Sequence, residues 1–280
     1  MRIINVKEIE EAVARLCVET NTILEPALAQ RLQAAAKEEE APLAASILGE
    51  ICCNITIAGE TGVPLCQDTG LACVFIELGQ EVHLTGGWLN DAVNRGVARG
   101  YTEGYLRKSV VADPLRRKNT GDNTPARIVC DIVPGEQVRI TVAPKGFGSE
   151  NMGKIRMCVP ADGRSGVADF VVEAVRTAGS KPCPPIVVGV GIGGTFDQVA
   201  ELAKRALLEP IDAVNPDPYY AELEEELLQR INALGIGPQG FGGKTTALAV
   251  HIKTAPTHIA GLPVAVNINC HVSRHGTVTL

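Results

Sequence analysis

The sequence predicts a mixed α/β fold: helices at the N-terminus, then a mixed sheet region with further helices packed on it. Two patterns carry that reading. Up to about residue 60, apolar side chains recur every three or four positions, the spacing of a helix that buries one face. Beyond it, short Val- and Ile-rich runs stand between Gly- and Pro-marked turns and are interleaved with more helical stretches. Size is the third observation, because 280 residues with 45% hydrophobic and 21% charged side chains can bury a core without disulfides. No repeat, low-complexity tract or linker interrupts the chain. Residues 1–280 therefore read as a single domain, helical over 1–60 and α/β over the remainder.

Taken in order, Val6, Ile9, Val13, Leu16 and Cys17 mark a first amphipathic helix. Thr22-Ile23-Leu24-Glu25 has the form of a capping box, and Pro26 suits the first turn of a second helix running to about Lys37. A third helix from near Pro42 carries Leu43, Ile47, Leu48, Ile51 and Ile55. Cys52 and Cys53 fall on or beside that apolar face and are expected to be buried. The helices stop at Gly59-Glu60-Thr61-Gly62-Val63-Pro64, and a loop to Gly70 follows. Strand character over 72–78 and helical character over 88–99 come next, then a polar, turn-rich stretch over 113–125. Residues 126–133 and 137–143 read as strands about a turn at Pro134-Gly135, the second alternating cleanly at Val138, Ile140 and Val142. A helix over 167–178, a buried strand over 185–191 and helices over 196–208 and 219–234 lead to closing strands over 246–252 and 262–268. Glu222, Glu224, Glu225 and Glu226 are expected on a solvated helix face.

Composition excludes several function classes. The net charge is −6 with scattered Lys and Arg, which argues against a nucleic-acid partner or an anionic membrane surface. Aromatic residues are 4% of the chain, so there is no platform for stacking bases or sugars. No stretch approaches the roughly 20 apolar residues of a membrane span, and Met1-Arg2-Ile3-Ile4-Asn5 has no leader character, so a cytoplasmic location is expected. The nine cysteines include no C-x-x-C pair, so neither a zinc ribbon nor a thioredoxin-type motif is written here. In a reducing compartment they serve as buried apolar residues, metal ligands or nucleophiles.

Two glycine-rich segments imitate nucleotide sites. Gly189-Val190-Gly191-Ile192-Gly193-Gly194 matches G-x-G-x-x-G between a strand and a helix, the basis of an alternative nicotinamide-dependent oxidoreductase reading. The second strand that a Rossmann unit needs is replaced by a short, Pro-broken run at 208–216. Gly242-Gly243-Lys244-Thr245 resembles the end of a P-loop, but Pro238 occupies the place of its first glycine. Its backbone N–H groups and Lys244 suit either an anion pocket or an ordinary tight turn.

Three cysteines stand apart, because Cys66, Cys183 and Cys270 lie in polar loops bounded by Gly or Pro instead of in apolar runs. Cys73, Cys130 and Cys158 adjoin strand-like runs and need only a structural explanation. Three separated thiolates suit a cubane cluster that leaves one iron open, and they suit a packed core as well.

The surrounding motifs carry more information. Cys66-Gln67-Asp68-Thr69-Gly70, then Lys145-Gly146-Phe147-Gly148-Ser149-Glu150-Asn151-Met152, Cys183-Pro184-Pro185 leading to Gly191-Ile192-Gly193-Gly194-Thr195, and Asn269-Cys270-His271 occur in this order. Together they resemble the α-type portion of the iron–sulfur hydro-lyases, the family of class I fumarate hydratase and L(+)-tartrate dehydratase. The resemblance implies a single α-type hydro-lyase domain over 1–280 and a [4Fe–4S] cluster with three Cys ligands, Cys66, Cys183 and Cys270. It implies Asp68 as the acid/base group beside the substrate hydroxyl, and Gln67, Arg107, Gly148 and His258 as binders of a dicarboxylate substrate. Arg107 is apt because a guanidinium grips a carboxylate with two parallel bonds. The chain ends ten residues after Cys270. The expectation is thus a separate α subunit, inactive until a β subunit completes the site, in a heterodimer or heterotetramer. The implied reaction is reversible addition of water to fumarate giving (S)-malate, with dehydration of L(+)-tartrate as the alternative.

Overall fold

A computed structural model describes residues 1–280, and its mixed α/β architecture is the one that the sequence predicts. In chain order, β1 (Arg2–Asn5) leads into α1 (Val6–Thr22), α2 (Pro26–Glu38) and α3 (Pro42–Thr61). Then come β2 (Leu71–Gly79), β3 (Val82–Thr85), α4 (Leu89–Glu103), β4 (Arg127–Val133) and β5 (Val138–Lys145). The one-turn α5 (Phe147–Glu150) is followed by β6 (Lys154–Cys158), α6 (Gly163–Ala178), β7 (Ile186–Gly193) and α7 (Phe196–Ala206). The chain closes with α8 (Pro218–Asn232), β8 (Ala247–Ala255), β9 (Leu262–Asn269) and β10 (Gly276–Thr279). These elements gather into two compact units, the first from residues 1–24, 56–147 and 274–280, the second from 25–55 and 148–273.

In the first unit the sheet order is β10-β5-β2-β4, with β2 antiparallel to β5 and parallel to β4. Thus β4 and β5 share a short turn but are not a hairpin, since β2 lies between them. Val138, Ile140 and Val142 join Val74, Ile76, Ile9, Val13 and Leu16 in one core, which is why β5 alternates so cleanly. The helix α1 opens on a capping box in which Asn5 accepts from the Lys7 N–H and Glu8 accepts from the Asn5 N–H. It packs on α4 at two glycines: a Cβ on Gly96 would stand 2.6 Å from the Glu10 carbonyl, and one on Gly100 2.6 Å from that of Ala14. The capping box expected at Thr22 does not form. Thr22 instead ends α1, its hydroxyl donating back to the Val18 carbonyl at 3.0 Å, and α2 begins without a side-chain cap.

In the second unit the sheet order is β6-β9-β7-β8, with β7 parallel to β8 and antiparallel to β9. One face, through Val188, Val190 and Ile192, packs on Val171 and Val175 of α6 and Leu223 and Leu227 of α8. The other face carries α7, and here the G-x-G-x-x-G segment finds its explanation. A Cβ on Gly189 would lie 2.2 Å from the Ala203 carbonyl, and one on Gly191 2.3 Å from that of Val199. Both glycines are inside β7 and let a helix rest directly on the strand, so they form no phosphate-binding turn and the dinucleotide reading loses its basis. The P-loop lookalike is also accounted for within the protein. The Glu39 carboxylate accepts the N–H groups of Glu40, Ala41 and Lys244, while Lys244 Nζ pairs with Glu40 at 2.6 Å. The anion at this turn is a side chain of the chain itself, received by the Lys244 N–H.

Three expectations are corrected. Cys53 is exposed and Cys52 half-buried, because the buried stripe of α3 runs through Ala44, Leu48, Ile51 and Ala58, and residues two apart do not share a helix face. The same helix is long and apolar enough to cross a membrane by length and composition, contrary to the sequence reading, and 22% of its apolar window is buried. Glu224 leaves the solvated face: it is buried, and its Oε1 accepts the Ile252 N–H at 2.6 Å and Asn215 Nδ2 at 3.0 Å. Burial raises its carboxyl pKa despite those bonds.

Candidate functional site

The first unit holds the Cys66 loop, whose three carbonyls at Asp68, Thr69 and Gly70 and whose Asp68 side chain are all tied down. The Leu65 N–H donates to the Asn21 carbonyl at 2.8 Å where the loop begins. Arg274 Nη2 donates to the Asp68 carbonyl. The Tyr101 hydroxyl donates to the carbonyls of Thr69 at 2.7 Å and Gly70 at 3.0 Å, and Asn123 Nδ2 adds a second bond to Gly70. The Asp68 side chain closes the turn: Oδ1 accepts from the Gly70 N–H at 3.0 Å and Oδ2 from the Phe147 N–H at 2.8 Å. Each carboxylate oxygen therefore keeps a lone pair for a proton while its direction is fixed by the backbone. A glycine is needed at 70, where φ is +76° and a Cβ would sit 2.7 Å from the Lys145 nitrogen.

Arg107 is brought to this loop by its backbone, whose carbonyl accepts from the Thr69 hydroxyl at 3.1 Å. Its guanidinium is exposed and makes no ion pair or hydrogen bond with the protein, which leaves it available to a carboxylate. Gln67 is exposed and Cys66 half-buried beside it. The sequence reading missed Tyr101, Asn123 and Arg274. Asn123 had a signal in its turn-rich context and adopts φ +65°, whereas a buried tyrosine on a helix has none.

In the second unit two cysteine loops meet at one end of the sheet. Cys183 is exposed, precedes β7 and adopts φ +56°, and Cys270 follows directly on β9. The His271 N–H donates to the Cys183 carbonyl at 3.4 Å, and His271 Nδ1 lies 3.0 Å from the same oxygen. Gln239 clamps the junction, its main-chain and side-chain N–H groups both donating to the Pro184 carbonyl, with Nε2 3.2 Å from His271 Nδ1. Gly148 belongs to the same end, since a Cβ placed on it would lie 3.5 Å from the Lys181 carbonyl, two residues before Cys183. Glu150 anchors that segment by accepting from Lys204 Nζ at 2.6 Å and Asn267 Nδ2 at 2.9 Å.

His258 is not brought to this end. It lies exposed in the β8–β9 turn, where its Nδ1 accepts the Ala260 N–H and the neighbouring Thr257 hydroxyl donates to the Gly194 carbonyl at the far end of β7. The eight residues of β9 separate it from Cys270 by roughly 26 Å at strand rise.

The chemistry of the thiols sorts them. None of the nine is in a disulfide. Cys17 is buried in the first core, and burial pushes its thiol up to about 12, so it stays protonated and inert. Cys66, Cys183 and Cys270 lie in loops with exposed or half-buried side chains, whereas the exposed Cys53 and Cys130 lie on α3 and β4. Neither unit by itself gathers three His, Cys, Asp or Glu side chains at ligating distance. Cys66 lies in the first unit, and the adjoining Cys183 and Cys270 loops lie in the second.

A family profile described as Fumarate hydratase (Fumerase) matches residues 10–279. A chain of Methanocaldococcus jannaschii provisionally named L(+)-tartrate dehydratase subunit alpha is 42% identical over 273 residues, covering 95% of each chain. The L(+)-tartrate dehydratase subunit alpha of Escherichia coli K12 is 32% identical over 277 residues, covering 98% of this chain and 91% of the relative. Likeness of that extent runs through both units and through every loop that carries Cys66, Asp68, Gly148, Cys183 and Cys270. The chain belongs to the fumarate hydratase family and is a hydro-lyase chain of the α-subunit type.

Proposed function

We propose that this chain is the α subunit of a [4Fe–4S] hydro-lyase that reversibly hydrates fumarate to (S)-malate in the cytoplasm and is completed by a β subunit. The observation that carries the proposal is a set of loop cysteines outside any disulfide: Cys183 and Cys270 in stitched loops of one unit, and Cys66 in the braced loop of the other. Three soft donors with no disulfide and no core role suit a cluster ligated by three thiolates. When bound, such a cluster supplies an open iron that acts as a Lewis acid on the substrate hydroxyl.

The remaining work falls to the chain's own residues. Arg107 binds one carboxylate of the substrate through its unpaired guanidinium, and the Gly148 N–H and Gln67 side chain orient it. Asp68 delivers a proton to the departing hydroxyl in dehydration and withdraws one from water in hydration, its two backbone bonds holding it in line. The proton on the neighbouring carbon goes to a base outside this chain, on the β subunit. His258, some 26 Å along β9 from Cys270, can serve such a site only from a second α chain, which favours the heterotetramer. L(+)-tartrate is the second reading, favoured by the names of both relatives.

The test is iron and acid-labile sulfide per chain after reconstitution without oxygen, followed by turnover of fumarate and L(+)-tartrate with the β subunit present. About four of each per chain is expected for one cubane, with fumarate turned over faster. Faster turnover of tartrate transfers the assignment to the second reading. Neither iron nor sulfide removes both.

A further inference from the structure

We propose that Arg274 is a positioning residue whose buried guanidinium holds the Cys66 loop by its main chain and supplies the positive charge that an anionic cluster on that loop meets. The proposal rests on the reading of Cys66 as a cluster ligand. Arg274 is only 5% exposed, and of its three nitrogens Nη2 alone has a partner, the Asp68 carbonyl two residues from Cys66. Nε and Nη1 are sheltered from solvent with no partner at all. No carboxylate lies within ion-pair distance, and that of Asp68, whose main-chain carbonyl Arg274 holds, is engaged by the N–H groups of Gly70 and Phe147.

An ionised group buried without a counter-charge is among the costliest arrangements in a folded protein. Holding the loop does not require that cost. At Thr69 and Gly70 the same task is done by neutral donors, Tyr101 and Asn123. Of the three loop carbonyls held in this way, the cation takes the one nearest Cys66 along the chain, where the proposed cluster would bring net negative charge. A charge fixed there favours the more reduced cluster, because net charge and surroundings set the potential of such centres.

The measurement is a redox titration of the reconstituted α–β complex followed by electron paramagnetic resonance, alongside iron content and thermal unfolding. Arg274→Gln is expected to shift the cluster midpoint to a more negative potential, and Arg274→Lys to restore it towards that of the unaltered protein. Tyr101→Phe loosens the same loop without removing charge and is expected to leave the potential in place. A potential unchanged in Arg274→Gln, with only the unfolding temperature lowered, overturns the proposal and leaves Arg274 a structural residue. If Arg274→Gln does not fold, Arg274→Lys decides: an unmoved potential supports the charge, a shifted one overturns it. Absence of a cluster from the unaltered protein is a different result, and it overturns the cofactor reading itself.

Discussion

At the scale of single residues, the nine thiols are separated by position, three of them in loops and the others within or beside helices and strands. Ser substitution of Cys66, Cys183 or Cys270 is expected to remove the cluster, with iron falling to background, because an alkoxyl does not replace a thiolate as a ligand. Cys53→Ser, on the open side of α3, is expected to retain full iron, and equal iron content in all four variants would refute the ligand assignment. Asp68→Asn keeps an oxygen for one backbone N–H but cannot carry the proton. Iron should be retained while turnover falls by roughly 10²–10⁴-fold, the usual contribution of a placed acid/base group. Undiminished turnover would reduce Asp68 to the loop clamp that its bonds to Gly70 and Phe147 already make it. The loops of Cys66, Cys183 and Cys270 were legible because Gly and Pro mark them in the sequence. The braces were not: Tyr101 reads as a core helix residue and Arg274 as a tail residue, and only the fold brings them to the carbonyls of residues 68–70.

At the scale of elements, local rules worked where one face is buried and failed where burial is set by a distant partner. The strand β5 and the helix α1 were readable from their spacing, whereas β7, buried on both faces, was readable only as an unbroken apolar run. The helix α3 was misjudged because it is apolar around most of its circumference, so periodicity does not choose a side. The β7 glycines misled for a related reason, since the requirement that Gly189 and Gly191 meet comes from α7. Gly191→Ala is accordingly expected to destabilise the protein by about 1–3 kcal/mol or more through overpacking, read as a lower denaturant midpoint with an unchanged slope. The turn at 242–245 gives a pH-dependent test. Burial works to raise the Glu39 pKa, but backbone N–H groups of Ala41, Lys244, Glu40 and Thr245 outweigh it and hold the carboxyl below its ordinary value. A depressed folded-state pKa means stability that is present above the unfolded value and lost as pH falls through the folded one. Glu39→Gln should therefore cost about 1–3 kcal/mol at pH 7, and the gap from the unaltered protein should close in acid. A gap that is constant with pH would show that the carboxylate's charge plays no part.

At the scale of the whole molecule, the sheet of the second unit acts as a ruler. Cys183, Cys270 and Gly148 are at one end of it and His258 is at the other, so one chain's His258 and Cys270 cannot touch the same four-carbon substrate. Sequence spacing alone hid this, because twelve residues can be a short loop or a full strand with its turn, and here they are the strand. If His258 binds substrate, it does so in the site of a second α chain, and each site then draws on two copies. That arrangement predicts complementation. His258→Ala keeps a ligated cluster without the remote imidazole, and Cys270→Ser keeps the imidazole without a cluster, so each complex alone should be inactive or nearly so. Unfolded, mixed in equal amounts and reassembled with the β subunit, half of the α pairs pair one variant with the other. In a two-fold symmetric pair each such hybrid regains one intact site of two, so activity should recover to about a quarter of the unaltered level. No recovery above the two separate variants would refute sharing of the site between copies. Full activity of His258→Ala by itself would instead remove His258 from substrate binding and leave the heterotetramer without this support.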